Sequence, residues 1–316
     1  MIVQNKVQSK KIRILYMGTP EISAVTLKML IEAGYNIVGL IAQVDKEVGR
    51  KHILEKVPTK VVAEEFNIPV YQVENIKNNY EFVKEINPDL ILTLAYGQII
   101  PQGLIDIPKY GCLNLHGSIL PKYRGAAPIQ RAILNGDTET GISLMEMVDK
   151  MDAGKVYAVE KVKIEDNDNY TSLQAKLSLA AFNVTDHYLE LYLNGLLPGV
   201  KQDESLVTIA KKIKPEDELL TKELSVKEFV NKVRALAMVP GAYILVNDKK
   251  IKVFDAEKVD DIPNEIVGEL IFKKGVYLTL KDGLVHLKLL QLEGKKILDD
   301  KSFANGGRIF EHAIIN

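Results

Sequence analysis

Short apolar runs alternate with helix-like segments through the first half of the chain. Strands are predicted at 12–17, Ile37–Ala42 and Val70–Gln72, and helices at 25–33 and 57–66 lie between them. A βαβαβ order whose strands are apolar on both faces is typical of a mostly parallel sheet covered by helices. The sequence therefore predicts an α/β fold with a Rossmann-like, doubly wound, mostly parallel sheet.

The same alternation continues as far as residue 198. Further strands are predicted at 90–95, 112–115 and 141–147, with helices near 80–86 and at 127–135. A hairpin-like segment at 156–164 is followed by one long amphipathic helix, 171–193, which Gly195 and Pro198 close. We therefore expect the first domain to cover residues 1–198.

The pattern changes beyond that point. Residues 199–213 lack a clear period and predict a linker. Ser225, with Glu228 three residues later, predicts a capping box at the start of a helix over 225–237. Short strands separated by turn residues are predicted at 243–246, 249–256, 265–273, 275–280 and 285–291. Such a series indicates a smaller OB-like β-barrel, so residues 214–316 are predicted to form a second domain.

The composition excludes several classes of protein. With 47% hydrophobic and 26% charged residues, the 316-residue chain is ordinary for a globular protein and has no apolar stretch of membrane-spanning length. Cys112 is the only cysteine, and the five histidines are scattered without a metal-binding spacing. The net charge of −1 decides nothing about polyanion binding. We expect a cytoplasmic protein with no metal and no membrane partner, and a monomer.

One strand and the loop after it carry the residues best suited to chemistry. The strand 112–115 leads into a loop at the carboxyl edge of the predicted sheet, where open α/β folds bind ligands. Because side chains alternate along a strand, Asn114 and His116 point to one face. An Asn amide donates to a developing oxyanion, and a His donates to the same oxygen or carries a proton. The alternative is a histidine satisfied by local hydrogen bonds with Asn114 in a turn.

A carboxylate completes a candidate catalytic set. Asp152 lies in the loop after the predicted strand 141–147, which would end at the same edge of a parallel sheet. A carboxylate near an imidazole orients the ring and favours its charged form. The loop 121–128 is polar and contains a glycine just where a substrate would approach. We therefore expect Asn114, His116 and Asp152 to lie together.

Several motifs resemble those of the folate-dependent formyltransferases. They are Asn-Leu-His-Gly-Ser-Ile-Leu-Pro at 114–121, Tyr-Arg-Gly-Ala-Ala-Pro-Ile-Gln at 123–130 and Met-Asp-Ala-Gly at 151–154. Further likeness at 17–20, 94–101 and 240–243 extends the similarity over nearly the whole chain. The segment Arg-Gly-Ala-Ala-Pro-Ile-Gln resembles the methionyl-tRNA formyltransferases more closely than the glycinamide ribonucleotide formyltransferases.

The resemblance implies a reaction and a set of site residues. The reaction is the transfer of a formyl group from 10-formyltetrahydrofolate to the amino group of methionyl initiator tRNA, without a metal. Asn114, His116 and Asp152 are implied to be the catalytic trio. Two loops are implied to bind the folate donor, through Ser118, Ile119, Leu120 and Pro121 and through Tyr96, Gly97 and Ile99.

The loop 43–51 is long for a connection between a strand and a helix, and it carries several charges. Its plain interpretation is a solvated surface loop. By resemblance it corresponds to the insertion that meets the acceptor stem of tRNA, which assigns Arg50 and Lys51 to RNA contact. The chain departs from the family at Val44 and Lys51, where Pro and Gly are usual.

Three other functions stay open at this point. A formyltransferase whose acceptor is a small amine, such as a sugar-nucleotide amine or glycinamide ribonucleotide, would use the same trio, but the predicted barrel weighs against it. A formyltetrahydrofolate hydrolase would use water instead of an amine and typically has an N-terminal regulatory domain. A catalytically silent RNA-binding protein is disfavoured by the presence of all three predicted catalytic residues.

Overall fold

The computed structural model describes residues 6–48, 53–260 and 266–316. By the packing of its backbone, the chain divides into two compact units. The first unit consists of Met1–Gly125, Thr140–Lys163 and Gln174–Ile209, and the second of Ala126–Glu139, Ile164–Leu173 and Ala210–Asn316. The boundaries at residues 198 and 213 drawn from the sequence stay a prediction.

A mostly parallel sheet forms the centre of the first unit. The strands up to residue 163 are β1 (Ile14–Gly18), β2 (Ile37–Ala42), β3 (Lys46–Val48), β4 (Ile53–Glu55), β5 (Val70–Gln72), β6 (Leu90–Leu94), β7 (Cys112–His116), β8 (Arg124–Gly125), β9 (Glu139–Glu146) and β10 (Val156–Lys163). Seven of these described strands join in the order β10-β9-β7-β6-β1-β2-β5. β5, β2, β1, β6 and β7 pair in parallel, whereas β9 runs antiparallel to β7. The predicted α/β class is confirmed.

Burial explains why the inner strands are apolar on both faces. All five residues of β1 and of β6 are buried, because these neighbouring strands lie inside the sheet and helices cover it. The helices up to residue 193 are α1 (Glu21–Glu32), α2 (Pro58–Glu65), α3 (Phe82–Ile86), α4 (Gln102–Ile105), α5 (Pro128–Leu134) and α6 (Tyr170–Leu193). In the part of the chain that the structure describes, no helix is long and apolar enough to cross a membrane.

The loop predicted at 43–51 contains regular structure that the sequence did not indicate. β3 pairs antiparallel with β4, so two short paired strands lie in the chain between β2 and α2. Lys46 and Glu47 give β3 no alternation of apolar and polar residues, which is why its pattern predicts a loop. On β4, Ile53 and Leu54 are exposed.

An antiparallel sheet dominates the second unit. The remaining strands are β11 (Ile209–Ala210), β12 (Ala242–Val246), β13 (Lys249–Val259), β14 (Leu270–Phe272), β15 (Val276–Leu280), β16 (Gly283–Leu292) and β17 (Leu298–Asp299), and the remaining helices are α7 (Val226–Leu236) and α8 (Asp300–Gly306). The described strands pair in the order β12-β13-β16-β15-β14, and β17 adds to β16. The predicted antiparallel barrel strands are confirmed. The strand expected at 265–273 is shorter and begins at Leu270.

Helix α7 packs its apolar side chains into the core of the second unit. Phe229, Val233 and Leu236 are fully buried in one cluster with apolar residues of the sheet. The predicted capping box is present at the start of the helix. The Glu228 N–H donates to Ser225 Oγ at 3.3 Å, and the Ser225 N–H donates to Glu228 Oε2 at 2.8 Å. These bonds satisfy two backbone donors that an uncapped helix would leave open.

Replacing the capping residue should loosen α7. We expect Ser225→Ala to lower the free energy of opening of this helix by about 1 kcal/mol, because one N-terminal donor loses its acceptor. Native-state hydrogen exchange of the α7 amides measures this free energy. Lys227→Gln, an exposed substitution in the same turn, serves as the control. Equal protection in both variants would show that the box contributes nothing to the helix.

Candidate active site

Strand β7 places two polar side chains on one face of the sheet. Asn114 and His116 alternate with Leu113 and Leu115, which are almost fully buried on the other face. β7 lies between β6 and β9, so the backbone on both sides is hydrogen-bonded and the positions of the two polar residues are fixed. Asn114 is half-buried and His116 is buried.

The amide of Asn114 is oriented by the neighbouring strand. Thr93 of β6 pairs with Asn114 in the sheet, and its hydroxyl donates to Asn114 Oδ1 at 2.6 Å. Among the described residues, the amide nitrogen of Asn114 has no hydrogen-bond partner. This arrangement leaves two N–H donors available to a ligand oxygen on this face.

The imidazole of His116 lies between two oxygen acceptors. Its Nε2 is 2.8 Å from the backbone oxygen of Tyr123, and because a carbonyl only accepts, Nε2 carries a proton. Its Nδ1 is 3.6 Å from Asp152 Oδ2. That distance suits an ion pair but exceeds a hydrogen bond, so a reacting atom can compete for Nδ1. The structure thus brings His116 and Asp152 together.

Asp152 reaches His116 by a route different from the one that its place in the sequence predicts. The sequence predicts that the strand before Asp152 ends at the same sheet edge as β7. This prediction is wrong, because β9 is antiparallel and its last residue, Glu146, pairs with Leu113. The chain from Glu146 to Asp152 therefore turns back toward His116. The N–H of Gly125 donates to Asp152 Oδ2 at 2.8 Å and fixes the carboxylate.

The first predicted donor loop is a tight turn that follows β7. Ser118 is fully buried, and its hydroxyl donates to the Lys122 carbonyl at 2.6 Å. Ser143 of β9 secures the same turn, since its hydroxyl donates to Ser118 O at 2.7 Å and accepts from the Leu120 N–H at 3.1 Å. The Ser118 hydroxyl is therefore used within the turn, and the partly exposed groups there belong to Ile119 and Pro121.

The second predicted donor loop connects the ends of three parallel strands. The Tyr96 carbonyl, just beyond β6, accepts from Thr19 Oγ1 and from Gln43 Nε2, each at 3.0 Å. Gly97 has a φ of +89°, and a Cβ on it would lie 2.3 Å from Gln43 Nε2. The positive φ, which other residues adopt only with strain, favours glycine at that position. Ile99 is 83% exposed, so its side chain is free to contact a ligand.

The hydroxyl of Tyr96 is unusual in this loop. The residue is only 3% exposed, and its Oη has no hydrogen-bond partner among the described residues. Burial raises the pKa of Tyr96 to about 12. A buried unpaired hydroxyl costs free energy, and such groups are often found where a ligand or a water completes the bond.

The predicted RNA contacts are not among the residues that the structure describes. Arg50 and Lys51 both lie in the gap between 48 and 53. Over the ranges that it does describe, no group of three or more His, Cys, Asp or Glu side chains is placed to hold a metal ion.

Sequence reasoning missed the residues that support the trio. Thr93 orients Asn114, and Gln202 contacts the Asp152 loop through its side-chain amide. Thr93 looks like any other residue of a buried strand. Gln202 stands in the aperiodic segment 199–213, where nothing indicates a role. Their functions depend on register and on long-range contacts, which one sequence does not display.

Two family models match the chain. Residues 10–185 match the model described as "Formyl transferase", and residues 212–308 match "Formyl transferase, C-terminal domain". Curated relatives named methionyl-tRNA formyltransferase align over almost the whole length. The protein of Malacoplasma penetrans is 40% identical over 96% of this chain and 95% of its own length. That of Lactobacillus acidophilus is 40% identical over 93% and 95%, respectively.

Solved structures share the fold at much lower sequence identity. A HypX variant from Aquifex aeolicus is 20% identical, with a TM-score of 0.68 over 94% of this chain and 49% of that protein. WlaRD, a sugar 3N-formyltransferase, is 19% identical, with a TM-score of 0.65 over 90% of this chain and 99% of that protein. These likenesses support the fold, and they leave the acceptor substrate open.

Removing the Tyr96 hydroxyl should not destabilise the protein. We expect Tyr96→Phe to leave the thermal unfolding midpoint unchanged or to raise it, because no protein hydrogen bond is lost. Tyr16→Phe is the matched comparison. The fully buried Tyr16 hydroxyl donates to Ser23 O and accepts from Ser23 Oγ, both at 3.1 Å. Its loss should cost about 1–3 kcal/mol. A similar loss in both variants would mean that the Tyr96 hydroxyl has a partner within the protein.

Proposed function

The chain belongs to the methionyl-tRNA formyltransferase family, and we propose that it moves the formyl group of 10-formyltetrahydrofolate onto the amino group of methionyl initiator tRNA. The product is N-formylmethionyl-tRNA, the form of the initiator used to begin translation. The observation that carries the proposal is the convergence on one sheet face of Asn114, His116 and the Asp152 carboxylate. An amide, an imidazole and a carboxylate are the groups that acyl transfer to an amine requires.

Asn114 and His116 stabilise the charge that develops on the formyl oxygen. Attack of the methionyl amine on the formyl carbon makes a tetrahedral intermediate with an oxyanion. The free N–H donors of Asn114 lie on the face where this oxygen would form. His116 contributes through Nδ1 in the imidazolium form, in which Nδ1 donates to the oxyanion while Nε2 donates to the Tyr123 carbonyl.

Asp152 and His116 handle the protons of the same step. The attacking nitrogen loses one proton, and N10 of the folate gains one as its bond to the formyl carbon breaks. A carboxylate 3.6 Å from an imidazole nitrogen can take a proton and return it through that ring. The products are tetrahydrofolate and the formylated amine, so the proton balance closes without a metal or a further reactant.

The donor is proposed to bind against the loops after β6 and β7. Ser118, Ile119, Leu120 and Pro121 form one loop, and Tyr96, Gly97 and Ile99 belong to the other. Both loops follow the carboxyl ends of adjacent parallel strands, which is where open α/β sheets bind ligands. Their backbone groups would contact the folate, since the Ser118 hydroxyl is used within its own turn.

The acceptor is proposed to contact the connection between β2 and α2. Arg50 and Lys51 are the cations assigned to the acceptor stem, and contacts of this kind to phosphate weaken as salt rises. The chain is proposed to act as a monomer in the cytoplasm. In this proposal, residues 1–198 catalyse the transfer, 199–213 form a linker and 214–316 form an OB-like unit that contacts tRNA.

Formyl transfer from 10-formyltetrahydrofolate should distinguish the charged tRNA from small amines. We expect transfer to methionyl initiator tRNA and none to free methionine or to an amino-sugar nucleotide. Asn114→Ala and His116→Ala should each lower the rate by about 10²- to 10³-fold, the usual cost of losing an oxyanion donor. With a radiolabelled formyl donor, the rate of formyl transfer to each of the three acceptors is measured in the same assay.

His187→Ala is the control, because His187 is an exposed histidine on α6 outside the proposed site. It should retain the wild-type rate. Transfer to the amino-sugar nucleotide in place of the tRNA would preserve the formyl-transfer chemistry and reject the assigned acceptor. Unchanged rates in Asn114→Ala and His116→Ala would reject the assigned site.

A further inference from the structure

A single buried side chain makes two hydrogen bonds to the loop that carries Asp152. Gln202 is 7% exposed, and its Nε2 donates to two backbone carbonyls, Asp152 O at 2.7 Å and Gly154 O at 2.8 Å. Both N–H donors of the amide are therefore used on two residues of one turn. Gln202 lies 50 residues from Asp152 in the chain, so the contact is a tertiary one.

The orientation of this amide is fixed by Arg124. Its Nε donates to Gln202 Oε1 at 2.9 Å, and a guanidinium has no acceptor atom. The oxygen of the amide must therefore face Arg124, and the nitrogen must face the Asp152 loop. Arg124 is only 2% exposed and directly precedes Gly125, whose N–H holds the Asp152 carboxylate.

An ion pair reinforces the same contact. Glu204 accepts from Arg124 Nη2 and from Lys150 Nζ, each at 2.9 Å. Lys150 belongs to the loop of Asp152, so this second connection also joins the 202–208 segment to that loop. Hydrogen bonds from Arg124 and Lys150 lower the pKa of Glu204 to about 2. Its carboxylate is therefore charged at neutral pH.

The same segment holds the other partner of His116. Thr208 Oγ1 accepts from the Tyr123 N–H at 2.8 Å, and Thr208 O accepts from the Arg124 N–H at 2.9 Å. The Tyr123 carbonyl is the acceptor that faces His116 Nε2. Tyr123 and Asp152 have φ angles of +60° and +49°, which are unfavourable for residues other than glycine. Such conformations persist only when surrounding contacts maintain them.

We propose that Gln202 is a positioning residue, which acts through Asp152, and that the 202–208 segment sets both oxygen partners of His116. The inference rests on the proposed function, since it gives Asp152 and His116 their roles in formyl transfer. Without the two hydrogen bonds from Gln202, Asp152 relaxes from its left-handed conformation and its carboxylate moves away from Nδ1. The segment that the sequence predicts to be a linker thereby becomes part of the active-site architecture.

Gln202→Glu isolates the donor function of the amide. The carboxylate still accepts from Arg124, but it cannot donate to the Asp152 and Gly154 carbonyls. Gln202→Met, similar in shape, removes both the donor and the acceptor of Arg124 Nε without adding charge. Gln174→Glu is the matched control, because Gln174 is a half-buried residue of α6 whose side chain has no partner among the described residues.

The first readout is steady-state formyl transfer to methionyl initiator tRNA by the full-length chain. We expect both Gln202 variants to lower kcat by about 10- to 100-fold, because a displacement of about 1 Å at a catalytic group has effects of this size. KM for the donor and for the tRNA should stay within about 3-fold, since Gln202 contacts neither proposed binding loop. The Gln174→Glu control should match the wild type.

The second readout is a double-mutant cycle with Asp152→Asn. If Gln202 acts through Asp152, the loss caused by Asp152→Asn should be clearly smaller in the Gln202→Glu background than in the wild type. Multiplicative losses, or Gln202 variants with lower thermal stability but wild-type kcat, would overturn the inference. If the proposed function is wrong, the wild-type chain itself does not formylate the tRNA. This result is distinct from failure of the Gln202 inference, in which the wild-type chain is active.

Discussion

The structure of the site depends on a buried imidazole held between two oxygens. His116 has the Tyr123 carbonyl on one side and the Asp152 carboxylate on the other. The Tyr123 carbonyl accepts a hydrogen bond from Nε2, and leaving this buried donor without an acceptor would cost about 1–3 kcal/mol. The Asp152 carboxylate lies at ion-pair distance from Nδ1. The two oxygens come from different loops, so the surroundings of one histidine require both loops to fold against β7.

The two strands next to β7 support the site in different ways. On one side of β7, the parallel strand β6 contributes Thr93, which orients Asn114. On the other side, the antiparallel strand β9 places Ser143 opposite His116, where its hydroxyl secures the turn after β7. Because β9 runs in the opposite direction, the Asp152 loop must fold back and needs contacts of its own. Gln202 provides two of them.

Periodicity and local motifs were sufficient to predict most of the framework. The βαβ alternation predicted the parallel strands, and Ser225 with Glu228 predicted the capping box, because both signals arise from neighbouring residues. The direction of β9 and the pairing of β3 with β4 were not predicted. Strand direction depends on pairing between distant segments, and a three-residue strand with charged side chains gives no period. The support from Gln202 was missed for the same reason, since its contacts are long-range.

A crystal structure with 5-formyltetrahydrofolate bound, a stable isomer of the donor, would show where on the sheet the folate binds. We expect the N5–N10 region of the folate to lie on the Asn114 and His116 face of β7, about 3–4 Å from their side-chain nitrogens. The pteridine should contact the loops that contain Tyr96 and Ser118. A folate bound elsewhere, with the face of Asn114 and His116 empty, would contradict the assignment of this site.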